Sequence, residues 1–435
     1  MDNKDFIFLM EKLNISNDYL DTLASQNGFI KRNRSIKAHN FLSAICIESV
    51  NGIASCNDIA AHMDAESDSN VSRQAVWKKI NSSLELYLKR ILALIITNKI
   101  NNSLVENTTN DYKRILVQDS TIIRLPVRLF SDFSGVANAQ SKVCNARIQC
   151  VYDFISKQFV YFSIDSYSKN DLSVAPLLDV QQGDLVLRDR GYLMADEIQR
   201  HLDHKAHCIF RYRFNMTLCD PITEKPIDLF SELKKVKSLD KKFMLNNKSK
   251  TIVRILAQPV SKEIADKRRR KTKAESKNTP SEKLLESLSW SIYITTIMDR
   301  NIDYEYIYKA YSLRWRIEII FKCWKSNMAF NQIHNVSKIQ LNILLLARFI
   351  TIIIITQIVF NPCRIIVKNV FDRNLSLLKF TKYVLNDNIN LISIIEEINK
   401  NIDGNLNNIK SLARFCSYDK RIRKNFQECF EQAFS

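Results

Sequence analysis

The alternation of apolar and polar positions divides the chain into helical and strand-rich stretches. Residues 1–105 read as mostly helical, with short polar breaks such as NGIASCND. Within them, SCNDIAAHMDAESDSNVSRQAVWKKINSSLELYLKRIL predicts a helix, a polar turn and a second helix that begins after Ser72. Ser72 is suited to cap that second helix, with Arg73, Gln74, Lys78 and Lys79 on its early turns. The arrangement fits a helix-turn-helix reading head, and a plain helical hairpin has the same pattern.

From about residue 112 the texture changes. RILVQ (114–118), ARIQCVYDF (146–154) and KQFVYFSI (157–164) carry branched and aromatic residues between polar breaks, which predicts strands. DLSVAPLLDV predicts a helix with Pro176 in its first turn. GDLVLRDRG (183–191) predicts a buried strand, followed by a helix over 193–205 and the strand AHCIFRYRF. That succession implies a mixed sheet flanked by helices. Residues 215–290 interrupt it with strand candidates KKFMLN and TIVRILAQPV, then a basic stretch, ADKRRRKTKAESKNTPSEKLLESL. The KRRRKTK run has six basic residues in seven and is equally the pattern of a solvated helix face or loop. After the strand WSIYITTI (290–297) a long helix is predicted over about 303–327, and 337–435 reads as helical with a basic end at Lys420, Arg421, Arg423 and Lys424. The apolar run 341–360 is interrupted by Arg348 and falls short of the roughly twenty clean residues that span a bilayer, so it predicts a buried core helix.

Composition narrows the partners. A length of 435 residues implies two to four domains, and an apolar fraction of 46% is ordinary for a globular protein. A formal net charge of +18 fits a polyanionic partner, nucleic acid ahead of a membrane surface, although a merely soluble basic protein has the same count. The start, MDNKDFIFLM, lacks the pattern of a secretory signal, and ten scattered cysteines with no CxxC pair read as reduced cytosolic thiols.

The long predicted helix carries the most chemistry. At about 100° per residue, Arg314, Glu318, Lys322 and Lys325 fall within about 60° of Tyr311, opposite the apolar Leu313, Ile317, Ile320 and Trp324. A plain amphipathic helix makes the same division. Two further acids, Asp119 and Asp189, each follow an apolar strand-like run, ILVQ and DLVLR, as residues placed by a rigid sheet would. Carboxylate oxygens suit Mg²⁺ or Mn²⁺, and such ions flank a scissile phosphate in metal-assisted phosphoryl transfer. Arg314 and Lys325 are placed to hold a neighbouring phosphate. His201, His204 and His207, with Cys208 adjacent, resemble a zinc set in composition, but no fourth ligand is spaced to close it. Glycine-rich phosphate loops are absent from the sequence.

The run YSLRWRIEIIFKCWK spaces Tyr, two residues, Arg, three, Glu, six, Lys, and so resembles the signature of DDE-type insertion-sequence transposases with a β-strand insertion before the catalytic glutamate. QDSTIIRLP resembles that family's first-aspartate segment and LRDRGYL its second, and the stretch from Asp189 to Glu318 is long enough to hold the insertion at 215–290. The resemblance covers roughly 30–360. It implies an α/β fold: an RNase H-like catalytic core (106–214 and 291–336) with an inserted β-rich basic subdomain (215–290). An N-terminal helical DNA-binding region (1–105) and a C-terminal helical region (337–435) would flank it. It further implies Mg²⁺, with Mn²⁺ as substitute, held by Asp119, Asp189 and Glu318. Tyr311, Arg314 and Lys325 would hold DNA phosphates, with Lys322 and Arg190 as further DNA contacts. Trp290, upstream of Glu318 at the end of the insertion, stands where relatives stack a flipped base, and a core residue is the alternative for it. The implied activity is cut-and-paste transposition of double-stranded DNA by a dimer that pairs two terminal inverted repeats, cleaving through a hairpin, in the bacterial cytoplasm at the nucleoid. Two alternatives share these residues: a metal-dependent nuclease that does not join, and an inactive DNA-binding descendant.

Overall fold

The computed structural model describes the chain except for residues 33–34, 68–69, 98–111, 138–141, 277, 387–390, 400–405 and 419–435; the basic C-terminal residues from Lys420 to Lys424 lie outside the described part. Eleven strands form one sheet: β1 (Arg114–Leu125), β2 (Ser134–Ala137), β3 (Lys142–Asp153), β4 (Gln158–Ser166), β5 (Asp184–Arg188), β6 (His207–Arg211), β7 (Leu218–Cys219), β8 (Pro226–Ile227), β9 (Leu239–Leu245), β10 (Ile252–Pro259) and β11 (Trp290–Thr295). Their order is β2-β3-β1-β5-β6-β11-β10-β9-β7-β8, with β4 also paired to β3. β3 runs antiparallel to β1 and β4, while β5 lies parallel to β1 and β6 parallel to β5. These five strands are the mixed sheet of an RNase H-like core. β11 pairs antiparallel to β6, so the strands of the insertion continue the core's own sheet.

Side chains alternate between two cores, as the strand period of two demands. Ile115, Val117, Leu185, Leu187 and Ile209 face one core, which is shared with the helices. Leu116, Val186, Cys208 and Phe210 face a second core on the other side. DLSVAPLLDV forms only a four-residue helical turn, Asp171–Val174, and a 3₁₀ turn, because Pro176 lacks the N–H a longer helix would need.

The helix Lys338–Ile354 is the axis of a helical body. It packs against the helices Ala38–Asn51 and Ser82–Thr97, and the helix Asn3–Lys12 touches Leu391–Asn399, so helices from the N-terminal and C-terminal regions meet. The apolar window expected to be a core helix is wholly buried. Arg348 within it is fully enclosed and donates to the carbonyls of Ser49, Gly52, Phe330 and Gln332, joining the N-terminal helices to the loop after the helix Trp315–Asn327. Burial pushes its guanidinium down to about 9.

Candidate active site

Asp119 and Asp189 come together through strand register. The β1–β5 ladder pairs Leu116 with Val186, Val117 with Leu187 and Gln118 with Arg188, without a shift along its length. The ladder ends there, one residue before Asp119 and Asp189, and the charge of Asp189 is felt at Asp119. Both alternate with residues of the first core, so both acids face the helical side of the sheet. Asp189 follows the strand end as expected. Asp119 does not end its strand: β1 continues to Leu125, still paired with β3. The polar QDST segment resembles a strand end, but β1 runs on through it to Ile123 and Leu125, which are buried in the first core.

Glu318 arrives from the helix above. The single helix expected over about 303–327 is two, Tyr304–Ser312 and Trp315–Asn327. Between them Leu313, Arg314, Arg316 and Ile317 donate to carbonyls three residues back, a tight 3₁₀ turn with no glycine or proline to announce it. The core face is as expected, with Leu313, Ile317, Ile320 and Trp324 all buried. Tyr311 departs from expectation. It is buried rather than on the open face, because three residues per turn bring it into line with Arg314, whose guanidinium lies 5.9 Å from its ring. Burial also raises the Tyr311 hydroxyl well above its ordinary range.

Arg314 joins the acids. Its Nη1 donates to Asp119 Oδ2 at 2.9 Å and its Nη2 to Glu318 Oε1 at 3.0 Å. The side chain of Arg314 is 7% exposed, that of Asp119 16% and that of Glu318 42%, so the pair deepest in the site is the Arg314–Asp119 pair. Asp119 Oδ1 also accepts from the Ser120 N–H at 2.7 Å. Burial nevertheless lifts the Asp119 carboxyl to about 7; Arg314 and the Ser120 N–H oppose the rise, and Glu318 and Asp189 add to it by repulsion.

The surrounding cations differ in their freedom. Lys325 is half-buried, and its Nζ donates to the Ile122 carbonyl of β1 at 2.9 Å, so it ties the glutamate helix to the sheet. Lys322 and Arg190 are exposed. Sequence reasoning missed Arg211. The β5–β6 register pairs Arg188 with Phe210 and ends there; the next residue of β6, Arg211, pairs with Tyr293. Its charge is felt at Tyr293, Tyr304 and Tyr311. The signal was present: HCIFR ends an apolar strand in a polar residue, as DLVLR-Asp does.

Other candidates fall elsewhere. Trp290 opens β11 and packs half-buried on the second core, on the opposite sheet face from Asp119 and Asp189. The KRRRKTK run is helical, within Lys262–Glu275. Arg268 donates to the carbonyls of Leu288 and Trp290, and Arg269 to the Leu285 carbonyl and the Ser289 hydroxyl, so two of the six cations pin the chain returning to β11. Lys267, Arg270, Lys271 and Lys273 are less enclosed, on the outer side of that helix. Ser72 caps the helix Arg73–Lys79 as expected, and Arg73, Gln74, Trp77 and Lys78 face solvent, while Lys79 turns back to the Phe29 carbonyl. The three histidines diverge. His201 is buried with Nδ1 on the Glu197 carbonyl, His204 is exposed, and His207 lies beside Thr296.

The donor set of the site is all oxygen, which suits a hard divalent cation. Among the described residues no three Asp, Glu, His or Cys side chains are yet grouped to hold an ion, and Arg314 stands between Asp119 and Glu318. Arg314 bridges two carboxylates, and burial with repulsion from Glu318 and Asp189 still lifts Asp119 to about 7. The donor types fit a divalent cation, which would need Arg314 to give way.

Comparisons with known proteins agree. Residues 112–354 match the family described as the transposase DDE domain. The chain is 26% identical over 378 residues to the transposase for insertion sequence element IS231E of Bacillus thuringiensis subsp. finitimus, covering 80% of this chain and 79% of that one. It is 26% identical over 413 residues to the transposase for IS1151 of Clostridium perfringens, covering 87% and 85%. A solved piggyBac transposase synaptic complex with hairpin DNA aligns with 98% of this chain and 87% of its own at a TM-score of 0.44 and 11% identity, too distant to carry an argument. The family match spans more than half of the 435 residues, over the strands and helix that bear the three acids, and the chain belongs to the transposase DDE domain family.

Proposed function

We propose that Asp119, Asp189 and Glu318 are the carboxylates with which this transposase cuts the ends of its element and joins them to target DNA. The observation that supports this reading is Arg314, which links Asp119 to Glu318, with Asp189 following the end of a strand that pairs with β1 up to the residue before Asp119. The three carboxylates would hold Mg²⁺, or Mn²⁺ in its place, which when bound activates water or a 3′-hydroxyl and stabilises the leaving oxygen. Arg314 then turns from the carboxylates to a phosphate of the cleaved strand, a bidentate partner for its fork. Arg211, Arg190 and Lys322 extend the cationic border along the DNA path. Lys325 keeps Glu318's helix seated on β1, and buried Tyr311 stacks behind Arg314 to aim it. Trp290 receives a flipped base only if the strand end opens from the second core, and cleavage through a hairpin is the step it would serve. Two copies pair the inverted terminal repeats, and the work is done in the cytoplasm at the nucleoid.

The test is a nicking assay on DNA carrying the element's ends, with Asp119→Asn, Asp189→Asn and Glu318→Gln beside wild type. Each variant is expected to lose Mg²⁺-dependent nicking while still shifting the DNA, because cationic contacts supply most of the affinity. A pre-cleaved end then reports strand transfer. Nicking that survives at the wild-type rate in any of the three variants would remove that acid from the mechanism.

A further inference from the structure

Behind the acids, on the other face of the sheet, lies a polar ring that the catalytic reading does not use. Ser120 alternates with Asp119 along β1, and its hydroxyl donates to Asp171 Oδ1 at 3.2 Å. The same oxygen accepts from Arg147 Nη1 and from Gln149 Nε2, each at 3.0 Å. Gln149 stands directly opposite Ser120 on β3. The ring closes on the segment after Asp189. The Tyr192 hydroxyl donates to Gln149 Oε1 at 2.7 Å, and the Tyr192 N–H donates to the Asp189 carbonyl at 3.0 Å. Gly191 lies so close that a Cβ there would come within 3.3 Å of Asp171 Oδ2. One carboxylate therefore touches the residue after Asp119 and the turn that follows Asp189. Gln149 and Tyr192 are buried, while the Asp171 side chain stays 24% exposed at the edge of the ring.

The position matters because the backbone ladder stops short. The β1–β5 pairing ends at Gln118 and Arg188, one residue before the two acids. Beyond that point β1 follows β3, while Asp189 enters a 3₁₀ turn, Arg190–Tyr192. No pairing in the β1–β5 register extends to Asp119 and Asp189 to fix their separation.

We propose that Asp171 is a positioning residue that sets this separation, by clamping Ser120 on β1 to the Gly191–Tyr192 turn from behind the sheet. The proposal rests on the reading that Asp119 and Asp189 hold a divalent cation. A set of ligands held rigidly at the right spacing binds its ion more tightly than the same ligands left to move. An amide at position 171 keeps the shape but loses the charge that Arg147 and the two neutral donors converge on. A methyl at 191 presses on the same carboxylate from the opposite side.

The experiment titrates Mn²⁺ into the full-length protein by electron paramagnetic resonance of the free ion. Wild type, Asp119→Asn, Asp171→Asn, Ser120→Ala and Gly191→Ala are compared, with thermal melting and DNA retention measured on each. Asp171→Asn and Gly191→Ala are expected to weaken Mn²⁺ binding about 10- to 100-fold, as loss of an outer support does, with melting and DNA retention near wild type. Higher Mn²⁺ is expected to restore nicking. A residue that merely held the fold would lower melting and retention together and leave the Mn²⁺ affinity of the folded protein alone. If wild type binds Mn²⁺ no better than Asp119→Asn, the acid reading itself fails and the clamp falls with it. If wild type binds, Asp119→Asn does not, and Gly191→Ala and Ser120→Ala bind like wild type, the clamp alone is overturned. These two variants decide the same question should Asp171→Asn not fold.

Discussion

The buried pair beneath Asp189 gives a prediction with a size. Arg188, the last residue of β5, is fully enclosed, and its partner Glu197 is 2% exposed. Nη1 of Arg188 donates to Glu197 Oε1 and Nη2 to the Ala175 carbonyl. Arg200 binds the same carboxylate from the rim, its side chain 24% exposed. Burial pulls the Arg188 guanidinium below its ordinary value; burial also pushes on Glu197, but the two guanidiniums outweigh it and hold the carboxyl low. Glu197→Ala removes the counter-charge and strands Arg188. Arg200 can turn to water, so the cost falls on Arg188 and should be about 3–5 kcal/mol. Replacing both, Arg188→Met with Glu197→Leu, removes the charges as well as their attraction, and is expected to lie near wild type or up to about 4 kcal/mol above it. Urea unfolding at neutral pH with unchanged slope is the assay. Arg188 alternates away from the acids, so the double variant is also expected to nick DNA. A Glu197→Ala protein within about 1 kcal/mol of wild type would mean water reaches this pair and the argument from burial is wrong.

Three further outcomes are expected. Arg314→Lys puts one ammonium where a fork spans two carboxylates, and the nicking rate should fall about 10²-fold; single-turnover nicking at the wild-type rate would deny Arg314 its role. Neutralising Lys267, Arg270, Lys271 and Lys273 should lower the slope of log affinity against log salt by up to about 0.9 for each phosphate they neutralise, and an unchanged slope would make the run a solvated bystander. His201 is buried neutral and held near 4 by that burial and by Arg188, below the ordinary 6.5. The unfolded chain therefore takes up a proton between about pH 6.5 and 4 that the folded chain refuses, so stability falls across that window by up to about 3 kcal/mol and levels below it. His201→Gln should flatten that part of the curve, which urea midpoints at pH 7, 5.5 and 4 would reveal.

Much of the site could be read before the sheet was seen, and the omissions have physical causes. Acids after apolar runs, and an acid facing cations across a helix from Leu313, Ile317, Ile320 and Trp324, are local patterns that a single sequence displays. Strand register is not local. The distance along the chain from Asp119 to Asp189 is plain in the sequence, but only the parallel pairing of β1 with β5 turns that distance into adjacency. The turn at Leu313–Arg314 was invisible because its residues are ordinary helix formers and the break lies in hydrogen-bond spacing alone, yet it decides that Tyr311 is buried. Lys325, Arg268 and Arg269 looked like free cations because a charge in a sequence does not reveal which backbone carbonyls it meets. Asp171 looked like the start of a helix, which it also is.

The electrostatics separate binding from chemistry. The chain carries an excess of 18 positive charges, while Asp119 and Glu318 share one guanidinium and the charge of Asp189 is also felt there. A DNA phosphate is drawn by the border and repelled at the centre, so the acids oppose the contact they are meant to act on. Arg314 lessens that conflict by occupying two of the three carboxylates, and it is itself nearly buried, so the neutralisation is strong where it acts. Its hold is incomplete: Asp119 is still lifted to about 7, which means the buried carboxyl gains by a further positive charge. On the proposed reading, such a site would close around phosphate only once a second cation is bound, and Arg314 would then be free for the strand. The order of events in cleavage would then follow from the charge count, with affinity supplied by the periphery and the proposed acids held beneath Arg314 until the cation binds.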